Sequence, residues 1–180
     1  MPVYQTCYRV GMSESGERYP LTDGDRQYLR RCVDLARAAL NDGDEPFGSI
    51  LVDAEGTILF EARNRIVTGD PTQHPEFEIA RWAGIHLSPP QRATAVVYTS
   101  GEHCPMCSAA HAWAGLGRIV YAVSSEQLGR WQREWGLPPG PVAALPITAV
   151  APSVAVTGPE PGLEAEIKSL HHQLAARLLG

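Results

Sequence analysis

His74 and Glu76 stand two residues apart in GDPTQHPEFEIARWA, and Cys104 and Cys107 stand three apart in GEHCPMCSAAHAW, with 27 residues between Glu76 and Cys104. One imidazole and two thiolates are donor types that zinc takes, and a catalytic zinc site uses three protein ligands while keeping a position for water. His74, Cys104 and Cys107 supply three. Glu76 is then left to move protons for that water. A CxxC pair alone serves redox chemistry as readily as metal binding. Two alternatives therefore stand beside the catalytic site: a thioredoxin-like redox pair, and a structural zinc completed by His103 or His111. Glu76 favours catalysis, because neither alternative has a use for it.

Both motifs open onto helical patterns, at residues 74–86 and 104–116. Each therefore sits at a helix N-terminus, where unpaired backbone N–H groups and the positive end of the dipole stabilise thiolates. A spacing of three puts both sulfurs on one side of the first turn. Pro75 and Pro105 fit there, since the N–H that proline lacks would have no helical partner anyway.

The elements that must position these residues follow from periodicity. Residues 23–41 read as a helix capped by Thr22 or Asp23, with Tyr28, Cys32, Leu35, Ala36, Ala39 and Leu40 on one apolar face and Asn41-Asp42-Gly43 as the stop. Residues 47–53 and 57–62 read as a hairpin, and 93–99 and 118–123 as buried strands. A short helix at 126–135, a strand within 146–157 and a last helix at 163–179 complete the order. Strands alternating with helices predict an α/β fold with a parallel portion and helices on both faces.

At 180 residues, 44% hydrophobic and 19% charged, the chain predicts one globular domain over 23–180 behind a loosely attached leader at 1–22. A net charge of −5, a pI of 5.6, a lone lysine (Lys168) and dispersed arginines disfavour nucleic acid as a partner. No apolar run approaches the ~18–20 residues of a membrane helix. The first residues lack the basic start and apolar core of a signal peptide, so the expected location is the cytoplasm, with Cys7 and Cys32 as ordinary thiols. His86, His171 and His172 read as solvated helix residues. Trp131 and Trp135, four apart, read either as an aromatic lid over a small flat ring or as core and interface side chains.

HPE with CPMC resembles the H-x-E…P-C-x-x-C zinc signature of the cytidine deaminase-like superfamily. EPFGSILVD, NRIVTGDPTQHPE and VYTSGEHCPMCSAAHAWAGLGRIVYA are similar to segments of its guanine deaminase and tRNA adenosine deaminase branch, so that the resemblance covers about residues 23–125. It implies a three-layer α/β/α fold with a mixed five-stranded sheet and one zinc per chain on His74, Cys104 and Cys107. It further implies Glu76 as proton shuttle, Asn64, Phe47 and His74 at the substrate, and a homodimer packed through the alanine-rich helix that carries Trp113. The activity implied is hydrolytic deamination of a nucleobase, nucleoside or related heterocycle, a guanine-like purine foremost. A tRNA-specific adenosine deaminase and a non-catalytic zinc-binding module are the alternatives. Three positions depart from the pattern. Pro75 replaces an alanine whose N–H can reach the base, and His103 replaces a proline. The late aspartate of some guanine deaminases has no counterpart after Asp70, leaving Glu126 or Glu134 as possible stand-ins.

Overall fold

The structure, a computed structural model, describes residues 20–180. Most of the expected leader, and Cys7 with it, lies outside the described residues. Seven helices and five strands follow: α1 (Asp23–Asn41), β1 (Gly48–Val52), β2 (Ile58–Arg63), α2 (Pro75–His86), α3 (Pro89–Thr94), β3 (Val96–Gly101), α4 (Pro105–Ala114), β4 (Ile119–Val123), α5 (Ser125–Glu134), α6 (Ile147–Val150), β5 (Val156–Thr157) and α7 (Glu164–Leu179). The sheet runs β2-β1-β3-β4-β5. β1 is antiparallel to both β2 and β3, whereas β4 is parallel to β3 and β5.

Alternation along the strands sorts the helices into two layers. Ile50 of β1, Tyr98 of β3 and Val120 of β4 pack with α1, Trp131 of α5 and Ile167 and Leu170 of α7. Leu51 and Val97, one residue along and so on the opposite face, pack with Ile79, Ala80 and Ala83 of α2. Ile119 meets Ile147 and Ala151 at α6. The result is the three-layer α/β/α sandwich, with α2, α4 and α6 on the face that carries the chemistry.

Local causes of these elements are visible in the caps. Thr22 accepts from the backbone N–H of Asp25, whose carboxylate accepts from the Thr22 N–H at 2.9 Å, closing a capping box. The Asp25 carboxylate also accepts from Tyr98 Oη at 2.7 Å and from Arg118 at 2.5 Å, tying α1 to β3 and to the entry of β4. Gly48 lets α1 lie directly on β1, because a Cβ there would fall 2.4 Å from Leu35 Cβ. Glu102 braces two helix starts at once, accepting from Ser125 N at 2.8 Å and from Ile147 N at 2.9 Å.

Two expectations need correction. The strand expected at 93–99 begins at Val96, because Ser88 and Gln91 form a capping box that starts the short helix α3. The last strand, Val156–Thr157, falls within the expected 146–157 and is preceded there by helix α6. His171 is buried, 5% exposed, with its ring 5.0 Å from Phe47, while His86 and His172 are exposed as expected. Of the two readings of the tryptophans, the core one holds. Trp131 is 1% exposed among α5, α7 and the sheet, and Trp135 packs beside it with its ring 5.2 Å from His172.

Candidate active site

His74 and Cys104 are the N-cap residues of α2 and α4, two helices that pack against each other. The loop before His74 is built by its own sequence. Asp70 Oδ1 accepts from Thr72 N at 2.9 Å and from Thr72 Oγ1 at 2.6 Å, and Arg65 N donates to Gln73 O. Thus the DPT stretch is a self-bonded turn that sets the histidine at the helix start.

The donor atoms of His74, Cys104 and Cys107 all lie within 4.8 Å of one another. Sγ to Sγ is 3.5 Å, and each Sγ is 3.7 Å from His74 Nδ1. A tetrahedral zinc with ordinary Zn–S and Zn–N bonds requires edges of about 3.8 Å between sulfurs and about 3.6 Å between sulfur and nitrogen. The triangle therefore fits one face of that shell, and the residues fit the metal. Cys104 is held near 4, first by its bond with the Cys107 sulfur and, against the opposing effect of burial, by His74. The same bond and burial push Cys107 well up, and a bound cation would favour its thiolate. His103 and His111 do not join the cluster; both are 1% exposed, with ring centroids 5.5 Å apart.

Glu76 lies in the first turn of α2, 5% exposed. Burial raises its pKa, opposed by the charge of His74 and by hydrogen bonds that include one from Thr99. Its Oε1 stands 2.9 Å from Thr99 Oγ1 and 3.1 Å from Ser49 Oγ, and those hydroxyls are 2.8 Å apart. Sequence reasoning missed both residues. Glu45 was also missed. Its carboxyl is raised by burial and lies near enough to His74, Cys104 and Glu76 for their charges to act on it. Glu134, by contrast, engages Arg130 and Lys168 on the α1/α5/α7 side of the sheet.

Asn64, wholly buried at the end of β2, donates its N–H to Phe47 O at 3.0 Å and accepts from Ile66 N through Oδ1. Its Nδ2 is buried with no hydrogen-bond partner among the described residues. Phe47 packs edge-on to His171 and against Gly101, where a Cβ would stand 2.8 Å from the ring. Glycine is thus the residue that lets the aromatic wall approach the strand leading into CPMC. Pro75, the first residue of α2, brings no N–H to this region.

Residues 22–123, more than half of the chain, match the family model described as the cytidine and deoxycytidylate deaminase zinc-binding region. The chain belongs to this deaminase family. It is 36% identical over 110 residues to a probable cytosine deaminase of Schizosaccharomyces pombe, covering 60% of this chain and 65% of that protein. It is 39% identical over 97 residues to guanine deaminase of Bacillus subtilis, covering 53% and 62%. It thus spans less than two thirds of the length of these relatives. The solved structure of the Bacillus subtilis enzyme superposes with a TM-score of 0.53 at 30% identity, over 67% of this chain and 82% of that one. Guanine deaminase of Nitrosomonas europaea superposes with a TM-score of 0.65 over 89% of each chain, at 20% identity, which is a likeness of fold. Zinc is accordingly the metal of this family's site, and the His74, Cys104 and Cys107 donors are arranged for a metal. Among the described residues, no helix is long and apolar enough to cross a membrane.

Proposed function

We propose that this protein hydrolytically deaminates a free nucleobase or related heterocycle, a guanine-like purine foremost, exchanging an exocyclic amino group for a carbonyl and releasing ammonia. The observation that carries this is the buried Glu76 carboxyl set beside a three-donor metal cluster, since a purely structural site needs no such acid. His74, Cys104 and Cys107 would hold the zinc, which supplies Lewis acidity and activates water near neutral pH. Glu76 accepts a proton from the attacking water and delivers it to a ring nitrogen, making the amino-bearing carbon electrophilic. It then carries the second water proton to the amine nitrogen, which leaves as ammonia. The unpartnered Asn64 Nδ2 is the donor available to an acceptor on the base, and the Phe47 ring offers a flat wall. The similarity to guanine deaminase supports the purine preference.

Surface charge supports a small substrate over tRNA. Arg26, Arg30, Arg31, Arg37 and Arg118 are committed to ion pairs with Glu160, Glu166, Glu61 and Asp25, leaving them poorly placed to grip phosphates. Ammonia release from guanine, 2,6-diaminopurine, cytosine, adenosine and a tRNA anticodon stem-loop tests the assignment. Turnover is expected on the free bases, led by guanine. Deamination of adenosine in the stem-loop with no free base turned over would overturn it.

The protein acts as a homodimer, two copies meeting through α2 and α4. Those helices present Ile85 and Trp113 at 76% and 73% exposure, a large apolar outlay for a lone chain. Light scattering at micromolar concentration should give twice the chain mass of 19.5 kDa, and a monomer would argue against this pairing.

A further inference from the structure

Ser49 and Thr99 are direct partners across the antiparallel β1–β3 ladder, both wholly buried on the α2 side of the sheet. Their neighbours on that face, Leu51 and Val97, are apolar core residues. Two hydroxyls in such a layer are costly unless bonded. They bond to each other at 2.8 Å, and both reach Glu76, at 3.1 Å from Ser49 and 2.9 Å from Thr99. Both contacts fall on Oε1, and neither falls on Oε2. Thr99 Oγ1 also stands 2.9 Å from Gly101 O, a second acceptor for its one hydrogen, just upstream of the cysteine motif.

We propose that Ser49 and Thr99 are positioning residues for Glu76: the hydroxyl pair pins Oε1 and so presents Oε2 to the proton-transfer path. This rests on Glu76 being the proton carrier. The physical need is plain, because the terminal torsion of a glutamate is broad and a carboxyl held by its chain alone samples many orientations. Two hydroxyls at 3.1 and 2.9 Å from Oε1, whose two hydrogens are shared among Oε1, each other and Gly101 O, restrict that freedom. The pair is set by strand register, so it turns with neither α2 nor the loop before it. Pinning one oxygen keeps the other in line for a proton that must be taken from one atom and given to another within a single turnover.

The test uses Ser49→Ala, Thr99→Val and the double variant, all nearly isosteric, with Thr99→Ser as the variant that keeps the hydroxyl. On the free base turned over fastest, kcat should fall about tenfold for each single variant and about 10²-fold for the double, with KM and zinc content held. Thr99→Ser should restore most of the loss caused by Thr99→Val. A crystal structure of the double variant should show the Glu76 carboxyl turned away from its Oε1 position. Unchanged kcat in the double variant, an equal loss in Thr99→Ser and Thr99→Val, a change in KM alone, or an unmoved carboxyl would each overturn the proposal. If Glu76→Gln itself proved fully active, the deaminase mechanism would fail. The crystal structure would still decide whether the hydroxyls hold the carboxyl.

Discussion

Glu76→Gln is expected to keep the fold and the zinc while losing turnover by at least the ~10²–10⁴-fold typical of a general acid–base group. The amide is nearly isosteric, and its carbonyl oxygen can take the place of Oε1 beside Ser49 and Thr99, so the buried contacts survive. None of the three metal donors is touched. What disappears is a group that can bind and release a proton. Ammonia release would measure the loss, and metal analysis would show one zinc per chain before and after the change. Near-normal kcat on a true substrate would sink the mechanism.

Removing the metal should have a comparable effect on activity and a second effect on stability. Stripping with a chelator under reducing conditions should abolish turnover, and one equivalent of zinc should restore it. Replacing Cys104 by serine should leave a protein that holds zinc poorly and cannot be rescued in this way. Because the donors belong to the starts of two different helices, the metal ties α2 to α4. Anything that binds only the folded state stabilises it by mass action, by ~2.7 kcal/mol at a free concentration one hundred times Kd. Calorimetry should therefore show a lower melting temperature for the metal-free protein than for the loaded one. Full activity without bound metal would exclude the zinc-dependent reaction, and four protein ligands in X-ray absorption would favour a structural site.

The donor set was the most legible part of the site. Metal ligands are few in type, and a spacing of three at a helix start is a strong constraint, so His74, Cys104 and Cys107 announced themselves as a group. α1 was legible because its cap and its apolar stripe agreed. The Ser49–Thr99 pair was not, since a serine and a threonine in apolar strands look like ordinary strand residues. Their meaning arises from cross-strand register, which joins positions 50 residues apart. The late strand, Val156–Thr157, lies inside its expected window of 146–157, whereas α6 ahead of it was not legible, because Glu102 holds its N-terminus from another part of the chain. α3 could have been read: Ser88 followed three residues on by Gln91, with two prolines between, is a helix start.

The family match ends at residue 123, but the hydrophobic core does not. Trp131, Leu163, Ile167 and Leu170 fill the same cluster as Leu29, Val33 and Val120, and Arg177 donates to Leu40 O at the end of α1. Likewise, Glu102, beside the cysteine motif, holds the starts of α5 and α6. The segment after the last matched strand is no detachable cassette. Its side chains supply part of the same packed interior as α1 and the sheet. Replacing it with a foreign tail would therefore change the shape of the core, and the α1 surface would have to be exchanged with it.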